Sequence, residues 1–327
     1  MKPFSSASVM GLEDFLPAIE RAPRFFLATH VNPDGDGIGS LLALSLALKE
    51  KGKVVWPYLA DELPPIYEFL PGKDLLRYSL PPGEDWVAIV LDCGDAHRLG
   101  EEAGAFVERL PEVLVLDHHE VSGTLGTRRY VELTYATGAL VYKLLELMRA
   151  PISYEIALNL YVAIFSDTGG FRFQQTTAET FALAQRLIEA GVNPAEVAER
   201  LTEHYPFSRF CLLKQALLRL KLSAHGKIAS SFLTHEDYSN CHASKADSDD
   251  FATLFRSIEG VEVSILLKEF NPGEVSVSLR SRGKINVATF AARFGGGGHR
   301  FAAGFKLKTD LKALRETLLK ELEALAS

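Results

Sequence analysis

Three short runs of continuous apolar residues, separated by segments of helical pattern, set the tightest limit on how this chain can fold. They are Phe25–Thr29 (FFLAT), Val87–Leu91 (VAIVL) and Val113–Leu116 (VLVL), with Val54–Leu59 as a further strand. A strand apolar at every position must be covered on both faces, and helices between successive strands supply that cover. Ile38–Glu50 reads as one such helix, stopped near Gly52, and Leu140–Met148 and Tyr154–Phe165 as others. Thr176 to Glu179 has capping-box spacing and opens a helix to about Ala190, where Gly191 stops it. Asn193-Pro194 starts another, and Pro206–Leu222 reads as one more.

The rhythm then changes. Strands are expected at Lys227–Leu233, Val261–Phe270 and Glu274–Arg280, the last two joined by a turn at Asn271-Pro272-Gly273. Helices at Asp250–Ile258, Val287–Arg293 and about Asp310 to Leu325 flank them. The chain has 327 residues, beyond the roughly 250–300 at which single cores tend to split. The expected organisation is an α/β N-terminal domain with a parallel sheet over 1–186, a helical linker over 187–215 and a smaller α+β C-terminal domain over 216–327.

Charge and cysteine usage exclude several classes. Net charge is -7, so no global field draws the chain to a polyanion, and any phosphate must be held by local cations. Cys93, Cys211 and Cys241 are scattered and odd in number, which argues against a disulfide framework and a thiolate zinc site. The first twenty residues lack the apolar core of a signal peptide. The longest apolar runs, Leu41–Leu48 and Ala157–Phe165, are too short to cross a bilayer. The expected location is the cytoplasm.

Four polar clusters sit at the ends of apolar elements. The first, Thr29-His30-Val31-Asn32-Pro33-Asp34-Gly35-Asp36-Gly37, follows a strand and precedes a helix, where open α/β sheets place their sites. Taken alone it reads equally as a polar Asp-Gly turn with an Asp helix cap. Asp92 ends VAIVL, Asp117-His118-His119 ends VLVL, and Ser166-Asp167-Thr168-Gly169-Gly170 ends LNLYVAIF. Asp34, Asp36, Asp92 and Asp167, if brought together without a counter-charge, would repel one another and raise their own pKa values. Two divalent cations would neutralise them, with His30 and His118 completing a carboxylate–imidazole shell. Such ligands without thiolate suit manganese, with magnesium, cobalt or zinc as the other candidates. A two-metal site of this kind activates water and stabilises the attacking and leaving oxygens at phosphorus.

The ordered set His30-x-Asn32-x-Asp34-x-Asp36, Asp92, Asp117-His118-His119 and Asp167 resembles the DHH phosphoesterase superfamily. That group includes RecJ-type exonucleases, inorganic pyrophosphatases and cyclic-dinucleotide phosphodiesterases. The resemblance implies that His30, Asp34 and Asp92 hold one metal, and that Asp36, Asp92, His118 and Asp167 hold the other. It makes Asp117 a partner that orients a histidine, and His119 a contact to phosphate or an aid to the leaving group. The run Phe294-Gly295-Gly296-Gly297-Gly298-His299-Arg300 resembles the GGGH signature of the DHH-associated domain. In such enzymes that domain closes over the metal site and grips the nucleotide end of the substrate. Ser281, Gly296, Gly297, Gly298, His299 and Arg300 become substrate-binding candidates, with Arg280 as a phosphate clamp.

Other residues are set lower. Cys93 reads as a small packed residue. Either His97 or Arg98 could be a substrate contact or lie in a surface loop, and Arg98 is favoured because only it is always charged. His225, His235 and His242 lack ligand spacing. Asp247-Ser248-Asp249-Asp250 reads as a helix start rather than a calcium site. Arg172 fits a phosphate anchor or a structural pair equally well. The expected function is that of the branch of the superfamily that degrades very short oligonucleotides and removes the 3′-phosphate of adenosine 3′,5′-bisphosphate. Alternatives are a soluble phosphodiesterase of cyclic dinucleotides or their linear products and a RecJ-like single-strand exonuclease, although the length leaves no room for a further OB-type domain. Expected partners are short single-stranded RNA or DNA and nucleotides, with no membrane and no obligate protein partner; a homodimer is left open.

Overall fold

The computed structural model describes residues 11–119 and 123–326. The chain divides into two units, Met1–His204 and Tyr205–Ser327. In the first, β1 (Arg24–Ala28), β2 (Val54–Tyr58), β3 (Val87–Leu91), β4 (Glu112–Asp117) and β5 (Arg128–Val131) form a wholly parallel sheet. Its order is β2-β1-β3-β4-β5. Around it lie α1 (Leu16–Arg21), α2 (Gly35–Glu50), α3 (Glu101–Arg109), α4 (Thr137–Leu147), α5 (Tyr154–Asp167), α6 (Ala178–Glu189) and α7 (Pro194–Thr202).

Alternate residues of each central strand feed opposite cores, as a doubly covered sheet requires. Phe25, Leu27, Ile89, Leu91, Leu114 and Leu116 pack with α2, α4 and α5. Phe26, Ala28, Ala88, Val90, Val113 and Val115 pack with Ala103, Phe106 and Val107 of α3. The helix α2 is apolar around its whole circumference from Ile38 to Leu44 and is buried throughout that stretch, as a helix without a polar face must be. It crosses α5 closely because Gly39 has no side chain. A Cβ there would lie 2.4 Å from the Asn159 carbonyl oxygen and 3.1 Å from the Ala163 Cβ.

The second unit is a mixed sheet. Its strands are β6 (Lys221–Ser223), β7 (Ile228–Leu233), β8 (Val263–Asn271), β9 (Glu274–Ser281), β10 (Gly297–His299) and β11 (Ala302–Lys308). The order is β10-β11-β9-β8-β7-β6, with only β7 and β8 parallel. Its helices are α8 (Phe207–Leu218), α9 (His235–Asn240), α10 (Phe251–Arg256), α11 (Val287–Ala292) and α12 (Leu311–Ala326). Val275, Val277 and Leu279 of β9 face the core with Ile228, Phe290 and Leu318, while the alternate residues are only half-buried.

The α/β class and the distinct second unit agree with the sequence; several details differ. The helix expected over Pro206–Leu222 ends at Leu218, and the chain turns through Ala224, His225 and Gly226, all at positive φ, to pair β6 with β7. The cysteine reading is corrected: Cys211 and Cys241 form a disulfide, with Cα atoms 5.7 Å apart. They are thirty positions apart in sequence and are brought together by the packing of α8 with α9, which spacing does not reveal. The helix cap expected at Thr176 is one residue later, with the Thr177 N–H donating to Thr180 Oγ1. Part of the glycine run is strand, not loop. Gly296 and Gly298 permit this, since a Cβ on either would meet Gly304 O or Ala302 O within 2.5 Å.

Candidate metal centre

The strand order reverses direction at β1, which has β2 on one side and β3 on the other. That switch point opens a crevice at the carboxyl ends of the strands. His30 follows β1, Asp92 follows β3, and Asp117 is the last residue of β4. Asp34 caps α2, accepting from the Asp36 and Gly37 N–H groups at 3.0 and 3.1 Å, which sets Asp36 in the first turn. Asp167 ends α5 on the same side, because Gly35 lies against Ser166 with no room for a Cβ. Asp92 adopts φ +58°, a left-handed conformation rare for a residue with a side chain. Such strain persists where the surroundings overdetermine it.

Each of the six residues taken from the sequence as metal ligands lies within 4 Å of another. His30 Nε2 is 3.3 Å from Asp92 Oδ2 and 3.9 Å from Asp34 Oδ1. His118 Nε2 lies 3.4 Å from Asp92 Oδ1, 3.7 Å from Asp36 Oδ2 and 3.6 Å from Asp167 Oδ2. His30, Asp34 and Asp92 form one potential cation cluster; Asp36, His118 and Asp167 form another. Asp36 and Asp92 are buried, Asp34 is exposed, and the Asp167 side chain keeps a quarter of its surface.

The histidine orientations test whether cations fit. His30 Nδ1 donates to Val31 O at 2.9 Å and His118 Nδ1 donates to Thr134 O at 3.0 Å, since a carbonyl can only accept. Each neutral ring then turns a lone pair at Nε2 toward carboxylate oxygens. That arrangement is repulsive unless a proton or a cation stands between them. Burial works against charging His118, but the Asp92 hydrogen bond and the carboxylates of Asp36, Asp92 and Asp167 push it up to about 11. Burial and the neighbouring carboxylates Asp92 and Asp34 raise Asp167 to about 7, against the pull of His118, and burial with Asp92 raises Asp36 well above the ordinary range. Burial also opposes ionisation of Asp92, yet hydrogen bonds from His118 and His30 hold it below that range. The donor set thus fits divalent cations, which replace such protons at carboxylate and imidazole ligands.

Two contacts were not legible in the sequence. Asp36 accepts from the Thr137 N–H at 2.6 Å and the Gly138 N–H at 2.9 Å, at the start of α4, and from Ser40 Oγ at 3.2 Å. The Thr137 hydroxyl donates to Asp92 Oδ1 at 2.9 Å. A helix N-terminus favours negative charge, but nothing in the string Tyr-Ala-Thr-Gly identifies its carboxylate partner. Asp117 is buried and its Oδ1 is 2.5 Å from His119 Nδ1, so it orients that ring, which also lies 3.8 Å from Asp92.

The remaining candidates are distributed as follows. Arg98 is half-buried on a 3-10 turn that is tied to the first cluster, with Val31 N–H donating to Arg98 O at 2.7 Å. His97 is exposed, as are His225, His235 and His242. Cys93 is fully buried, and burial pushes its thiol up to about 11. Arg172 donates to Gly169 O at 2.7 Å. In the second unit, Arg280 pairs in register with Ala302, which in turn pairs with His299, so the arginine and the glycine run share one end of the mixed sheet. The His299 side chain lies outside the described residues. Ser281 is buried, with its hydroxyl donating to Ile285 O at 2.7 Å, and Arg300 donates to Gly283 O at 3.0 Å. Asp250 caps α10 from φ +65°, and Asp249 lies 3.7 Å from Lys268 Nζ.

The model of the DHH family, N-terminal domain, matches residues 24–164, and that of the DHHA1 domain matches residues 226–327. The chain is 38% identical over 301 residues to the bifunctional oligoribonuclease and PAP phosphatase NrnA of Thermus thermophilus, covering 90% of this chain and 87% of that one. An exopolyphosphatase-related protein from Bacteroides fragilis has a similar crystal structure, with TM-score 0.89 and 26% identity, covering 96% of this chain and 97% of the other. RecJ from Thermus thermophilus, solved in complex with Mn2+, shares the fold at TM-score 0.56 and 17% identity, covering 99% of this chain and 56% of that one. The matching models cover both units and the first relative spans nearly the whole length, so the chain belongs to the DHH family, with its DHH domain followed by a DHHA1 domain.

Proposed function

We propose that this chain hydrolyses phosphate esters of very short oligonucleotides and removes the 3′-phosphate of adenosine 3′,5′-bisphosphate. The observation that carries this reading is the convergence of His30, Asp34, Asp36, Asp92, His118 and Asp167 on one crevice. The relation to an oligoribonuclease and PAP phosphatase gives the substrate class. His30, Asp34 and Asp92 would hold one divalent cation and Asp36, Asp92, His118 and Asp167 a second, with manganese as our assignment. When bound, such ions activate water and neutralise charge that develops at phosphorus.

The protein groups do the rest. Asp92 reaches both histidines through its two oxygens, so it is placed to serve both cations. Asp117 holds the His119 ring in one orientation, from which we assign it to contact the phosphate or to deliver a proton to the departing ribose oxygen. We assign Arg98, whose carbonyl accepts from the Val31 N–H beside the first cluster, as a substrate contact. Arg280, Ser281, Gly296–298, His299 and Arg300 are assigned to binding the phosphate-bearing end of the nucleotide. No helix among the described residues is long and apolar enough to cross a membrane. We assign the protein to the cytoplasm, acting without an obligate partner, and a homodimer is compatible with this role.

Purified protein tests the reading. Manganese-dependent release of mononucleotides from RNAs of two to about ten residues, with phosphate release from adenosine 3′,5′-bisphosphate, is the expected result. Cleavage of longer strands alone would favour a RecJ-like exonuclease. Turnover of a cyclic dinucleotide alone would favour the phosphodiesterase.

A further inference from the structure

Immediately after Asp167 the backbone makes an unusual turn. Gly169, Gly170 and Phe171 lie consecutively in the left-handed region, at φ +58°, +68° and +63°. For a phenylalanine this conformation is strained, and it persists only where the surroundings enforce it. The turn is closed by Thr168 O, which accepts from the Arg172 and Phe173 N–H groups at 3.0 and 2.9 Å. The Thr168 hydroxyl accepts from the Phe171 N–H at 3.0 Å. The Phe171 ring anchors it, packed 5.8 Å from Tyr161, 5.9 Å from Phe165 and 5.4 Å from Phe181.

That geometry folds the chain back so that the Phe173 ring tip rests on Gly169. A Cβ on Gly169 would be 2.4 Å from Phe173 Cζ. The ring therefore sits against the backbone two residues beyond Asp167, yet 39% of its surface is exposed. Gln175 ties the same segment down by donating from Nε2 to Asp167 O at 2.8 Å. A phenyl ring that keeps this much exposed surface while resting on the backbone two residues beyond Asp167 has the properties of a stacking surface. The backbone that carries it is already fixed by the Phe171 anchor and the Gln175 hydrogen bond, so little backbone entropy is lost on contact.

We propose that Phe173 is a specificity-determining residue that stacks on the nucleobase of the nucleotide whose phosphate lies at the Asp167 cluster. This rests on the phosphoesterase reading given above. Stacking on an aromatic ring tolerates every base, because each base has a π-face. It therefore suits an enzyme that takes short oligonucleotides without regard to sequence.

The test is calorimetric titration of the full chain with AMP and with ribose 5-phosphate in manganese, beside kinetics on adenosine 3′,5′-bisphosphate. The wild-type protein should bind AMP at least about fivefold more tightly than the baseless sugar phosphate, the lower end of measured stacking contributions. In Phe173→Ala that ratio should fall to about one, and Phe173→Tyr should restore it. A wild-type ratio retained in Phe173→Ala would overturn the proposal. So would equal weakening of both ligands in the two variants, since the ring would then be a prop for Asp167. A protein that shows the base preference but hydrolyses no nucleotide would uphold stacking and refute the phosphoesterase reading. Hydrolysis without any base preference would do the reverse.

Discussion

The carboxyl edge of the parallel sheet and the Arg280 end of the mixed sheet lack opposite charges. At the first, four aspartates and two histidines face one another at 3.3–3.9 Å. At the second, Arg256, Arg280 and Arg282 cluster, and among the described residues no carboxylate lies within 4.0 Å of their guanidinium groups. They donate instead to Ser281 O, to Thr253 Oγ1 and Leu279 O, and to Val261 O and Arg256 O. Burial lowers the affinity of Arg256 for its proton, and the cations Arg280 and Arg282 add to this. Asp249 and Asp250 act on Arg280 only at longer range. The first unit presents carboxylates and imidazoles that fit cations, and the second presents guanidinium groups with no carboxylate partner within that distance among the described residues. Neither deficit shows in the overall charge of -7, which averages over both.

The largest effects should come from the acidic edge. Chelation should reduce hydrolysis to background and added Mn2+ should restore it. Asp92→Ala should lower kcat by at least about a thousandfold, because one residue serves both clusters. Circular dichroism should show both proteins folded; near-wild-type turnover in Asp92→Ala would end the two-cation assignment. At the cationic edge, Arg280→Ala should raise KM by roughly 10–100-fold through loss of charge-assisted hydrogen bonds. An unchanged KM would remove Arg280 from substrate binding.

Smaller changes sharpen the comparison. Thr137→Val removes the hydroxyl that supports Asp92 but keeps the N–H to Asp36, and should weaken manganese binding by about tenfold. Titration of the full chain with Mn2+ reads this directly. The smallest effect lies in a structural pair of the second unit. Asp237 is bridged by Arg219 and completes the capping box of α9 by accepting from the Thr234 N–H. Burial opposes its ionisation, but Arg219 and Thr234 hold its pKa below the ordinary value. That stabilisation is complete above the unfolded pKa near 4 and is lost as pH falls through the lower folded value. Asp237→Asn should therefore cost about 1 kcal/mol near pH 7, and its melting temperature should converge on that of the wild type below pH 4.

The contrast also marks what the sequence could disclose. The acidic edge was legible because each ligand ends an apolar run, a pattern set by local chain order. The strand β5, Arg128–Val131, was not, since an edge strand of half-exposed Arg-Arg-Tyr-Val carries no apolar signal. Nor were Thr137 and Gly138, whose partner Asp36 lies about a hundred residues earlier. The Cys211–Cys241 bridge was hidden for the same reason. Arg280 was named as a clamp by resemblance, but its neighbour Arg256 had no motif around it. Phe173 passed unnoticed because its meaning depends on a left-handed turn that composition does not announce.

The close crossing of α2 and α5 has a consequence for engineering. The first cluster begins α2 and the fourth ends α5, so the spacing between Asp36 and Asp167 is a machined gap whose gauge is set by Gly39 and Gly35. A redesign that transplanted all six ligands but filled either position with a single methyl group would keep every donor and lose the tolerance between them.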